Sequence, residues 1–187
     1  MSHREASVGA LYRLSCALDA LNLAVGRLVT GLALVMVLVQ FLVVVLRYVY
    51  GLGFIWLQES VLYMHAVIFM VGAGYTLLMD GHVRVDIFYR EASRRRKALI
   101  DLLGTVFFLF PFCILVLYVS WPYVANAWAV HEGSKETSGI PGIYLLKTSI
   151  LIFAGLLIVQ GVSKGARALL TLLGLDTAFG PRREHHA

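Results

Sequence analysis

Four long apolar runs, separated by short polar links, organise this chain. Residues 28–46 hold no charged side chain, and residues 60–79 contain His65 but no Asp, Glu, Lys or Arg. Residues 102–121 form a third run that includes Pro111, and residues 143–163 a fourth, with Lys147 near its start. About 20 mostly apolar residues carry a helix across a bilayer core. Each run therefore predicts a transmembrane helix, because unpaired backbone groups cannot face lipid. Ahead of the first run, Leu11, Leu14, Leu18, Leu21 and Val25 recur at three- and four-residue spacing, with Arg13, Asp19 and Asn22 on other faces. That pattern predicts an amphipathic helix at the membrane interface; a bent extension of the first span is the alternative. The long polar lead and the absence of a small-residue cleavage pattern argue against a cleaved signal peptide.

Composition agrees with a lipid-solvated chain. Of 187 residues, 59% are hydrophobic and 14% charged, with mean hydropathy +0.79; soluble domains carry about 25% charged residues. The net charge of +5 does not indicate nucleic acid, because the basic residues gather at the ends of apolar runs. They read as topology determinants. Arg4, Arg13 and Arg27 precede span one, while Arg84, Arg90, Arg94, Arg95, Arg96 and Lys97 lie between spans two and three. Lys164, Arg167, Arg182 and Arg183 follow span four. The other two links are poor in basic residues or balanced by Glu132 and Glu136. The expected fold class is an all-α integral membrane protein with four transmembrane helices and an N-terminal amphipathic interfacial helix, N-in/C-in. Its domains are an N-terminal cytoplasmic or interfacial segment (1–27), a four-helix membrane domain (28–163) and a cytoplasmic tail (164–187).

Few residues suggest chemistry. Arg47 ends span one and Glu59 begins span two near the outer interface. They either pair, within the chain or with a partner, or simply mark the interface beside Tyr48, Tyr50 and Trp56. His65 would need a second intramembrane histidine to ligate haem, and the other runs offer none. Gly72 and Gly74 permit close helix approach. Pro111 predicts a bend in span three. Asp86 is placed to cap a helix along the membrane, and Asp101 to meet the basic segment near it. Cys16 and Cys113 have no metal or disulfide spacing and read as small buried hydrophobes. The sequence contains no nucleophile–base set, Walker loop, metal cluster or Rossmann fingerprint, so no enzyme activity and no cofactor is expected.

Several segments together carry a resemblance. Arg47-Tyr48 closes span one, Trp56 and Glu59 open span two, and Gly72-Ala73-Gly74-Tyr75 leads into His82-Val83-Arg84-Val85-Asp86. Glu136-Thr137-Ser138-Gly139-Ile140-Pro141 precedes Lys147, and Leu156-Leu157-Ile158-Val159-Gln160-Gly161 lies in span four. With these motifs the chain resembles the small, DctQ-like membrane subunit of tripartite ATP-independent periplasmic (TRAP) transporters over roughly residues 28–163. It departs from the pattern in the acidic residue at position 80 and in lacking a proline soon after Lys147.

The resemblance implies a non-catalytic permease subunit of a secondary-active, sodium-coupled system for uptake of an organic acid or related solute. Its partners would be a large transport subunit, which it scaffolds in the bilayer of the bacterial inner membrane, and a periplasmic substrate-binding protein, which it helps dock. Arg47, Trp56, Glu59, Gly72, Gly74, His82, Arg84, Asp86, Glu136 and Lys147 become structural or interface residues. The competing readings are an autonomous four-helix exporter using Glu59, and a membrane haem or quinone redox protein.

Overall fold

The computed structural model describes residues 3–82 and 92–175. Five α-helices account for most of them: α1 (His3–Tyr48), α2 (Ile55–Leu78), α3 (Arg94–Gly104), α4 (Phe110–Ala129) and α5 (Ile143–Leu172). A π-helical turn, Thr105–Leu109, joins α3 to α4, so Arg94–Ala129 is one continuous rod. Four rods are thus long and apolar enough to cross a membrane. Helix α5 packs against each of the others and forms the spine of the bundle. One end of the bundle carries the beginning of α1 and the end of α5. The opposite end carries the 49–54 and 130–142 connections.

The rods outrun the predicted spans. Helix α1 crosses position 27 without a break and counts 46 residues. At 1.5 Å per residue that is about 69 Å, against about 30 Å of hydrocarbon. The leucine-rich N-terminal segment is therefore a direct extension of span one. Leu14 and Leu21 are exposed, whereas Ser15 and Asn22 are fully buried against α5. Buried hydrogen-bonding groups are satisfied only by contact with protein, so Ser15 and Asn22 turn inward, while Leu11, Leu18 and Val25 are half-buried beside them.

The third rod begins at Arg94 and ends at Ala129, eight residues beyond the predicted span on each side. Pro111 does not break it. The π turn lies immediately ahead of that proline, with the Phe110 amide donating to the Thr105 carbonyl. Pro111 lacks an amide hydrogen and its ring crowds the carbonyl four residues back. Widening the preceding turn is one way to absorb both defects. Opposite it sits Gly161, where a Cβ would come within 2.7 Å of Leu109 and 2.9 Å of Phe110. A second proline, Pro122, is also carried inside α4.

Three helices close in the same way. Beyond α2 the Asp80 amide bonds to Leu77 and the Gly81 amide to Thr76, with Asp80 in the left-handed region at φ 56°. Beyond α4, His131 and Glu132 repeat the pattern, with φ 46° at His131; beyond α5, Gly174 and Leu175 do so. This is the Schellman arrangement, which satisfies carbonyls left open at a helix end. Aspartate tolerates the left-handed region better than most residues. The acidic departure at position 80 is therefore the residue that stops α2.

Small side chains fill the centre. Cys113, Ala154 and Leu157 are buried together, with Ala73, Leu77, Leu109 and Phe153 packed around them. Cys113 behaves as the small buried hydrophobe its position predicts, whereas Cys16 is only half-buried; both are free thiols.

Candidate functional site

At the end of the bundle that carries the termini, α1 and α5 are joined by polar side chains at helical spacing. Ser15, Asp19 and Asn22 form one stripe on α1; Gln160, Ser163 and Arg167 form another on α5. The Asn22 amide donates to Gln160 Oε1 at 2.9 Å, and Gln160 Nε2 donates to Asp19 Oδ1 at 3.0 Å. The Ser163 hydroxyl lies 2.6 Å from the same Asp19 oxygen and 3.1 Å from the Ser15 carbonyl. Arg167 makes an ion pair with the other Asp19 oxygen. Asp19 is the hub, receiving bonds from three side chains of α5.

The glycines of the Gly72-Ala73-Gly74-Tyr75 motif make room for this zipper. A Cβ on Gly74 would overlap Asn22 Oδ1, and a Cβ on Gly26 would overlap the ring of Tyr75. At Gly72 a Cβ would stand 3.4 Å from Val29, an ordinary contact. Close approach is thus required at Gly74 and Gly26, while Gly72 only permits it. One turn further out, Lys164 reaches Asp80 at 3.3 Å and Asp101 at 3.6 Å, tying α5 to the end of α2 and to α3. Asp101 therefore meets a lysine of α5.

At the opposite end a second carboxylate organises the 130–142 connection. Glu59, in the first turns of α2, accepts the Ser134 hydroxyl on one oxygen and the Ile140 amide, at 2.6 Å, on the other. Gly139 is crowded by Ser134 and Glu59, leaving no space for a side chain there. Tyr63 adds a long hydrogen bond to the Ile140 carbonyl, 3.4 Å. Lys147 pairs with Glu132 and lies 3.9 Å above the Tyr123 ring. Trp128 donates to Thr148 at 2.9 Å and packs edge-on against Tyr144, which joins α4 to α5. The loop is thus clamped at its base, and Lys135, Glu136, Thr137 and Ser138 form its exposed crown.

The residues singled out from sequence are distributed unevenly over these sites. Glu59 and Lys147 are both clamps of the 130–142 connection. Glu136 contributes backbone contacts to it while its side chain is exposed. Glu59 does not pair with Arg47 within the chain, since its two oxygens are taken by the loop. Arg47 instead lies on an exposed groove with Gln58 and His65. Trp56 is half exposed, 6.3 Å from Phe54. His82 is exposed just past the end of α2, and Arg84 and Asp86 lie outside the described residues. His65 contacts Phe69, with ring centroids 4.6 Å apart.

Sequence reasoning passed over the zipper, although Gln160 sits in one of the recognised motifs. The available signal was polar spacing: Ser15, Asp19 and Asn22 at i, i+4, i+7, and Gln160, Ser163 and Arg167 at i, i+3, i+7. Each triplet occupies one helix face.

Comparison with known proteins agrees with the architecture. Residues 36–171 match the family described as tripartite ATP-independent periplasmic transporters, DctQ component. A segment of 106 residues is 32% identical to the C4-dicarboxylate TRAP transporter small permease protein DctQ of Vibrio cholerae serotype O1, covering 57% of this chain and 45% of that relative. The chain thus matches less than half of the relative's length. No solved structure matches. The family match takes in α2, α3, α4, nearly all of α5 and the C-terminal part of α1, and with it the Glu59 clamp, the Gly74 position and the Gln160–Arg167 half of the zipper. This multi-pass membrane protein belongs to the DctQ component family of TRAP transporters.

Proposed function

We propose that the chain is the small permease subunit of a sodium-coupled TRAP uptake system for an organic acid, bracing a large transport subunit and helping to seat a periplasmic binding protein. The observation that carries this reading is how the bundle uses its polar groups. The Asp19 and Glu59 carboxylates are both engaged in holding elements together, and the centre between them is packed with Cys113, Ala154 and Leu157. Such an interior suits a brace. A transport site would require polar groups held ready for solute and ion near the midplane.

The distribution of basic residues supports a cytoplasmic position for both termini and the 79–93 connection, in a bacterial inner membrane, and an outside position for the Glu59-clamped loop. That orientation sets the loop crown where a periplasmic protein can reach it. The relative's printed substrate makes C4-dicarboxylates the first cargo to assay.

Proteoliposomes provide the test. Uptake of a C4-dicarboxylate or related organic acid under an inward sodium gradient is expected only when this chain, a large subunit and a binding protein are all present. Uptake by this chain alone, abolished by Glu59→Gln, would overturn the proposal in favour of an autonomous exporter. A Soret band in the purified chain would favour the redox reading instead.

A further inference from the structure

Between the outer halves of α1 and α2 runs a groove of about 540 Å³ whose mostly apolar lining is interrupted by four polar side chains. Gln40 and Arg47 lie seven residues apart on α1; Gln58 and His65 lie seven apart on the antiparallel α2. All four side chains are exposed. Seven residues is about 10 Å of helix, or two turns. The shallow pair, Arg47 and Gln58, lies near the outer ends of its helices, where an arginine can snorkel to the interface. Gln40 and His65 lie two turns deeper, inside the predicted spans. Among the described residues, none of the four side chains has a hydrogen-bonding or ion-pair partner, and His65 has only its ring contact with Phe69. Polar side chains at this depth are costly against lipid, and they characteristically face protein or a water-filled cavity.

We propose that this groove is the docking surface for a transmembrane helix of the large permease subunit, an assignment that rests on the small-subunit reading above. Charge decides the choice of occupant. The groove carries one cation, Arg47, and no carboxylate, because neighbouring Glu59 is committed to the outer loop. A second copy packed symmetrically on the same patch would bring another Arg47 and no anion. The fitting helix is one of different sequence, with a carboxylate or open carbonyls level with Arg47. Two turns deeper it presents hydrogen-bonding side chains to Gln40 and His65. Small residues elsewhere on it would let it settle over Val37 and Leu62.

The test uses the tagged full chain co-expressed with the large subunit. The double substitution Gln40→Leu with His65→Leu is expected to leave the chain's membrane level and detergent melting temperature unchanged, while recovery of the large subunit falls about tenfold or more. A photoreactive substitution, Leu62→p-benzoylphenylalanine, is expected to cross-link to the large subunit, and this readout does not depend on removing any polar group. Full recovery with the leucine variants, or cross-linking of position 62 only to a second copy, would overturn the groove assignment and leave the subunit reading intact. Failure of the unsubstituted chain to retain the large subunit would overturn both.

Discussion

Two carboxylates at opposite ends of the bundle do different jobs. Asp19 joins helix to helix, through side chains alone, and an arginine supplies its counter-charge. Glu59 joins helix to loop, through a hydroxyl and a backbone amide, and no basic side chain among the described residues pairs with it. The first fixes how two rods lie together along their length. The second fixes the shape of a connection whose crown faces water. The comparison teaches that charge placement alone does not reveal a role. Arg47 and Glu59 look like a pair and are not one within the chain, whereas Asp19 and Arg167 are 148 positions apart and form one.

The hub of the zipper is where the comparison breaks most readily. Asp19→Ala is expected to destabilise the chain by about 3 kcal/mol, the lower part of the range for breaking a sheltered ion pair, because both partners retain some exposure. Reversible denaturation in mixed micelles measures it. Arg167→Ala should cost less than Asp19→Ala, since three side chains of α5 depend on the carboxylate and one carboxylate depends on Arg167. Equal losses would reduce the zipper to a simple ion pair.

Steric tests come next. Gly26→Val and Gly74→Val should each cost about 1–3 kcal/mol by forcing α1 and α2 apart. Gly72→Ala should change stability by under about 0.5 kcal/mol, since its Cβ would stand in an ordinary contact. Ranking Gly72 above Gly74 in the same assay would contradict the packing described.

At the end carrying the 130–142 connection, Glu59→Gln is expected to cost about 1–2 kcal/mol, because the amide keeps an acceptor but loses charge-assisted bonds. Its effect should be strongly non-additive with Ser134→Ala and additive with Arg47→Ala in the isolated chain. Coupling between Glu59 and Arg47 there would restore the pair that the sequence invites. Protease sensitivity of the 130–142 connection should rise in Glu59→Gln and stay unchanged in Asp19→Ala.

A smaller loss than at Glu59 is expected at Lys147. Lys147→Met keeps the stem over Tyr123 but removes the contact with Glu132 and with the ring face, for a small loss of stability. A thermal shift that diminishes in high salt would confirm its electrostatic part.

Much of the architecture follows from local rules. The four runs specify four membrane-crossing helices because an apolar stretch in lipid must satisfy its backbone internally. Gly72 and Gly74 were legible as a place of close helix approach, whereas the partner helix α1 and the role of Asp80 as a helix stop came from the structure. The ends of the rods were less accessible. Helices extend past the apolar runs through polar residues such as Arg94–Lys97 and Lys164–Arg167, and periodicity weakens where lipid no longer selects for hydrophobicity. Pro111 and Pro122 likewise mark places where a helix is stressed, without saying whether it stops, bends or widens. Here the small neighbour Gly161 leaves room beside the widened turn.

By itself, the sequence determined the class of the protein, its four spans and its family, because those depend on composition, periodicity and local motif. Only the tertiary structure decided which polar groups meet. Asp19, Gln160 and Arg167 come together because α5 returns alongside α1, and Glu59 meets Ser134 and Ile140 because the 130–142 connection folds back over α2. Partner choice at such distances in the chain is set by helix packing, which no local spacing encodes. It is the same packing that leaves Gln40, Arg47, Gln58 and His65 facing outward.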